Sequence, residues 1–183
     1  MREIGDRRAE GQIVGNLGAA YADLGEPRRA IELYEQQLVI ARGIGDRQGE
    51  GAALGNLGNA YADPGDARRA IEFYEQHRAI AREIGDRRGE GADLGNLGRA
   101  YADLGDARRA IEFYEQQLVI TREIGDRRGE GIALWNVSLS LDKLGDRARA
   151  IEYAQDALKI KEQIEAPNVV QVREQLAAWH GEK

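Results

Sequence analysis

The sequence predicts an all-α solenoid of repeated helical hairpins, and three observations carry that prediction. The segment 46–85 matches 86–125 at 32 of 40 positions, with another copy starting at Asp6 and a looser one at Asp126. A fixed period of roughly 20–50 residues marks a repeat architecture. Within each copy apolar residues recur three and four apart, the spacing of one helix face. Each apolar run ends at a glycine-containing breaker, and no strand pattern appears anywhere in the chain.

Each element follows from local chemistry. In the second copy Asp46 is placed to cap a first helix, whose apolar face is Leu54, Leu57 and Tyr61. The run stops at Asp63-Pro64-Gly65-Asp66; the other copies stop at Asp23-Leu24-Gly25 and Asp103-Leu104-Gly105. A glycine just past the last periodic residue is a helix C-cap signal. Asp66 then caps a second helix with Ala70, Ile71, Tyr74 and Ile80 as its stripe, ending at Ile84-Gly85. Pro27 stands at the matching helix start in the first copy, where proline is tolerated.

One hairpin cannot bury its own stripe, so neighbouring hairpins must stack. The expected organisation is four repeats at 6–45, 46–85, 86–125 and 126–165. Residues 1–5 read as the tail of a truncated preceding repeat, which makes the chain a piece of a longer protein. Residues 166–183 read as a capping helix starting at Pro167, with Val169, Val172, Leu176 and Trp179 on one face.

Composition narrows the function. Net charge is −6, but 46–85 and 86–125 each carry about two excess acids with the signs mixed. Phosphate binding needs a clustered basic face, so neither nucleic acid nor an anionic membrane is an expected partner. No apolar run approaches the roughly 18 residues that span a bilayer. The chain has no cysteine, which fits a cytoplasmic location.

Leu57-Gly58, Tyr61, Ala70 and Tyr74 resemble the tetratricopeptide (TPR) signature, Leu-Gly-x2-Tyr followed by Ala-x3-Phe/Tyr. Leu17-Gly18, Tyr21, Ala30, Tyr34 and Leu97-Gly98, Tyr101, Ala110, Tyr114 repeat it, while the fourth copy has Val137-Ser138, Leu141, Ala150 and Ala154. The forty-residue period resembles the long-helix subclass of kinesin light chain and Pins/LGN-type proteins. The resemblance implies a right-handed superhelix whose first helices line a concave groove for a peptide or protein segment. Gly58 and Ala70 are small where the helices of a hairpin would cross, with Tyr61 and Tyr74 beside them.

In that lining one position is asparagine in every copy: Asn16, Asn56, Asn96 and Asn136. A carboxamide both donates and accepts, so it can grip a peptide backbone of any sequence. The alternatives are a bond to a neighbouring helix or simple duplication. The next position varies, Ala19, Asn59, Arg99 and Leu139, which reads either as specificity or as drift. Arg99 is the one cation there that can fork onto a carboxylate. Trp135 replaces Gly15, Gly55 and Gly95 and is either a ligand anchor or a core filler. Those glycines, with Gly11, Gly51 and Gly91, either smooth the groove floor or allow close packing. Asp23, Asp63, Asp103 and Lys143 are candidate rim charges or merely solvated ones. The arginine of Pins/LGN-type repeats is absent, its counterparts being Gln12, Ala52, Ala92 and Ile132, so a strongly acidic ligand is not expected.

No constellation for catalysis emerges. Gly49-x-Gly51-x3-Gly55 has no preceding strand to make it a nucleotide loop. His77 and His180 are far apart and without cysteines, so neither a metal nor a cofactor is expected. His77 stands where other copies have Gln37 and Gln117 and reads as a packing or surface variant. The expected function is therefore a protein-interaction scaffold and not an enzyme. The rival readings are an array that stacks end to end through an uncapped N-terminal face, and a sensor array serving an enzyme domain outside the chain.

Overall fold

The computed structural model describes residues 2–63 and 65–181, with side chains from residue 6 onward. Among these residues there are nine α-helices and no strand. They are α1 (Arg2–Asp23), α2 (Pro27–Ile44), α3 (Arg47–Ala62), α4 (Ala67–Ile84), α5 (Arg87–Asp103), α6 (Ala107–Glu123), α7 (Arg127–Lys143), α8 (Arg147–Gln163) and α9 (Val169–His180). The chain divides into two compact units, Met1–Asp93 and Leu94–Lys183, with the boundary inside α5.

The expected helix punctuation is present. The Asp46 and Asp66 side chains accept from Gly49 N and Arg69 N, occupying otherwise orphan donors of α3 and α4. Pro27 opens α2, and α2 and α4 end on Gly45 and Gly85 at φ 69° and 75°. Gly125 repeats this at φ 71°, but at the equivalent corner after α8 the left-handed residue is Glu165, φ 51°. A side chain there costs about 1–2 kcal/mol. Glu165→Gly is accordingly expected to stabilise unit 2 by about 1 kcal/mol in urea unfolding.

In two places the helix boundaries depart from the repeat pattern. The repeat-end sequence 2–5 runs straight into α1 without a break at Gly5-Asp6. The internal Gly-Asp corners are held by a docked pair of helices, as where Asp46 N donates to Ala41 O; the 2–6 segment has no such pair among the described residues, and continuing the helix satisfies its backbone locally. The last helix begins at Val169, not at Pro167. Asn168 occupies its N-cap position, with its side-chain oxygen engaged by Lys161 Nζ instead of the helix backbone.

In unit 1, Ala30, Tyr34, Leu38, Ala53, Leu54 and Leu57 form the centre of the core. Tyr61 stacks on Phe73 with ring centroids 5.3 Å apart. Glu50 is buried between two guanidiniums, Arg42 across the α2–α3 corner and Arg47 on its own helix. Burial pushes the Glu50 carboxyl up, but the two arginines outweigh it and hold the group below the usual carboxylate range. Glu90 repeats the arrangement with Arg82 and Arg87.

In unit 2 the core joins Ala110, Tyr114, Leu134 and Val137 to Val172 and Leu176 of α9, which covers the last hairpin. Glu130 sits between Arg122 and Arg127 in the same way as Glu50.

The tightest packing inside each hairpin is a glycine against a tyrosine. A Cβ on Gly58 would lie 2.5 Å from Tyr74 Cε1, and one on Gly98 would lie 2.4 Å from Tyr114 Cε1. This contact accounts for a glycine inside a helix despite its cost of about 1 kcal/mol. The fourth repeat departs at both positions together, with Ser138 and Ala154 both fully buried. Gly58→Ala alone is expected to cost about 2 kcal/mol by overpacking. In a Gly58→Ala/Tyr74→Ala pair the clash disappears, so the two losses in urea unfolding should sum to more than the double variant's loss.

Candidate functional site

The four asparagines each stand one residue before an apolar position, Leu17, Leu57, Leu97 or Val137, at the edge of their helix's packing face. Leu57, Leu97 and Val137 are fully buried, which fixes those helices in rotation. Asn56, Asn96 and Asn136 are half-buried and Asn16 is exposed. No side-chain hydrogen bond engages any of the four carboxamides among the described residues. Asn136 uses only its backbone carbonyl, which accepts from Ser140 Oγ at 2.9 Å. Unit 1 carries Asn16 and Asn56, and unit 2 carries Asn96 and Asn136.

The variable position behaves differently. The Asn59 carboxamide oxygen accepts a 2.9 Å hydrogen bond from the Tyr74 hydroxyl, so this side chain helps hold the α3–α4 hairpin. Arg99 is exposed and forms no ion pair among the described residues. It lies with Asp103 around the Tyr114 hydroxyl, which burial first and Asp103 second push up to about 12, against the opposing charge of Arg99. Asp63, Asp103 and Lys143 are exposed at the C-terminal ends of α3, α5 and α7.

Trp135 lies in the core. It is 7% exposed and meets Trp179 of α9 with ring centroids 6.3 Å apart. The glycines it replaces explain its room. A Cβ on Gly15 or Gly95 would lie 2.6 Å from the Gln37 or Gln117 carboxamide, and one on Gly55 would lie 3.3 Å from the His77 ring. At the residue equivalent to those glutamines the fourth repeat has Ala157, fully buried, so the large side chain moves from one helix to the other. The glycines are therefore packing residues.

A polar pair escaped single-position reading. His77 Nδ1 lies 2.8 Å from Asp93 Oδ1, and the Asp93 side chain is 3% exposed with its Oδ2 unpartnered. The equivalent pairs one period before and after are Gln37 with Ala53 and Gln117 with Ala133. The available signal was that both departures occur together. Among the described residues no helix is long and apolar enough to cross a membrane.

Repeated helical hairpins with this spacing and glycine–tyrosine packing define a class, and comparison with known proteins agrees. The tetratricopeptide repeat family model matches residues 9–83 and 90–163, and the chain belongs to that family. Proteins of the family generally bind protein or peptide partners and are generally non-catalytic scaffolds. No curated protein sequence matches the chain.

Among solved structures, the chain is similar to a signal-transduction ATPase with numerous domains, bearing a tetratricopeptide repeat sensor, from Pyrococcus horikoshii. Identity is 19% over 96% of this chain and 30% of that one, with a TM-score of 0.82. It is similar to putative kinesin light chain TPR-like repeats from Podosopora anserina, with 21% identity over 96% and 87% of the two chains and a TM-score of 0.77. It is also similar to aspartyl phosphate phosphatase F from Bacillus subtilis, with 14% identity over 94% and 45% and a TM-score of 0.86. The chain thus spans less than half of the first and third of these proteins.

Proposed function

We propose that this chain is a protein-interaction module that holds a peptide or protein segment along the groove expected from the first helices of its repeats. The observation that carries the reading is the set of four carboxamides at one repeat position, none hydrogen-bonded among the described residues. A free carboxamide in a helix interior gives up helix propensity and needs a use elsewhere. Asn56, Asn96 and Asn136 would bond the main chain of the ligand, while Arg99 would select a carboxylate beside it. Trp135 has no direct part in this reading, since it fills the core. No catalytic role is assigned, and the reading includes a cytoplasmic location, with which a cysteine-free chain is compatible.

Selection of a random-peptide display library on the immobilised chain tests the idea. The proposal expects enriched peptides that shift the asparagine side-chain amide resonances. Enriched peptides that leave those resonances unmoved would place binding elsewhere.

One observation favours self-association as a second reading. On α1, Ile13 is 67% and Leu17 47% exposed, whereas the equivalent Ala53 and Leu57 are fully buried. Exposed apolar residues on a face like those that pack internally are suited to a second copy. Sedimentation across a concentration series would show a rising mass if that reading holds. A sensor role toward an enzyme domain rests only on the likeness to the archaeal ATPase, a likeness of fold.

A further inference from the structure

The same crevice occurs at two ends of the repeat period with opposite contents. At the first repeat it is lined by Arg8, Gln12, Ala41, Ile44 and Asp46 and holds about 20 Å³. Three periods on, Arg128, Ile132, Lys161, Ile164 and Ala166 line about 170 Å³, with Asn168 beside them. The backbone is alike in both places: Asp46 N donates to Ala41 O at 2.9 Å, and Ala166 N donates to Lys161 O at 2.8 Å. Around that shared bond the side chains differ, and the helix that follows starts at Val169 instead of directly after the corner.

In the first crevice a built-in carboxylate is present. Asp46 Oδ2 lies 3.1 Å from Arg8 Nε. In the last crevice that aspartate is Ala166, while Ala41 has become Lys161. The result is two cations and no carboxylate among the lining residues. Lys161 is 2% exposed, and its Nζ donates to Asn168 Oδ1 at 3.0 Å, one of the three bonds an ammonium can give. Arg128 forms no ion pair among the described residues. A buried cation without a counter-charge is costly unless something pairs with it.

We propose that this crevice, between the start of α7, the end of α8 and residues 166–168, binds a carboxylate supplied from outside the chain. Arg128 would fork onto the group and the Lys161 ammonium would add a charge-assisted bond. Ile132 and Ile164 give apolar walls for a short aliphatic stem. A volume of about 170 Å³ has room for an aspartate or glutamate side chain or a small free acid. Burial first, and the neighbouring Arg128 second, hold the Lys161 ammonium below the usual lysine range, a strain that a bound anion relieves. The site does not depend on the groove reading, and its failure would leave that reading untouched.

The test is a propionate titration of the full 15N-labelled chain at constant ionic strength made up with chloride. The Asn168 side-chain amide and Arg128 Nε–H resonances are followed by NMR. The expected result is saturable shifts, weakened about tenfold in Arg128→Gln, the worth of one hydrogen bond to a charged group. Arg128 is exposed, so that variant should keep its circular dichroism. Ala166→Asp restores the carboxylate of the first repeat and should abolish the propionate response while raising Tm. Shifts that are linear, or equal with chloride alone, would overturn the proposal, as would saturation indifferent to Arg128→Gln. Saturation by phosphate but not propionate would overturn the carboxylate assignment.

Discussion

Replacing His77 with alanine is expected to destabilise the protein by about 3 kcal/mol at pH 6, a large part of what a domain has. His77 supplies the hydrogen bond to Asp93 Oδ1, and Asp93 Oδ2 has no hydrogen-bond partner among the described residues. Without the imidazole a carboxylate that is 3% exposed loses its hydrogen bond and its nearest counter-charge, keeping the more distant Arg78. Burial pushes the Asp93 carboxyl up, and the His77 hydrogen bond and charge, with Arg78 farther off, oppose it. His77 is itself raised, first by the bond to Asp93, with burial opposing and the charges of Asp93 and Asp86 adding.

The sign of the pH dependence follows. A histidine whose folded pKa lies above its unfolded value of about 6.5 stabilises fully below that value. The contribution is lost as pH rises through the folded pKa, so the original chain should lose stability from pH 6 to pH 9. His77→Gln with Asp93→Ala recreates the pairing of Gln37 with Ala53 and of Gln117 with Ala133. This double variant should recover most of the loss and flatten the pH response. Urea unfolding of the original chain, the His77→Gln and Asp93→Ala single variants and this double variant at both pH values forms the cycle. A cost under about 1 kcal/mol for His77→Ala, or a pH response unchanged in the double variant, would contradict the pair's role.

What could be read ahead of the structure was what depends on near neighbours. Asp46, Asp66, Gly45 and Pro27 act within one helical turn, so residue type and spacing sufficed to place them. The Gly58–Tyr74 contact was also legible, because the period recurs often enough to show two small positions facing two aromatic ones. Depth was not legible. Trp135 read equally as a ligand anchor or a core filler, and the Trp179 that it meets lies far along the chain. His77 and Asp93 each looked like a stray departure, and only their 2.8 Å contact joins them. The asparagine positions could be named from the repeat. That their carboxamides make no hydrogen bond among the described residues, while Asn59 bonds Tyr74, required side-chain geometry.

The second large effect concerns binding. Asn56→Ala, Asn96→Ala and Arg99→Ala together remove three side chains that are exposed or half-buried and lie outside both cores. The fold should survive, with unchanged helical circular dichroism. If each side chain gives one net hydrogen bond of about 1 kcal/mol, affinity should fall by about a hundredfold. Arg99 would contribute the larger share against ligands carrying a carboxylate.

The most direct test of the groove account is the affinity of one display-selected peptide for the original chain and for this triple variant, measured by calorimetry at a single salt concentration. The account predicts a loss of about a hundredfold with the fold intact. An affinity unchanged in a folded triple variant would contradict it and move the binding surface away from the asparagine positions.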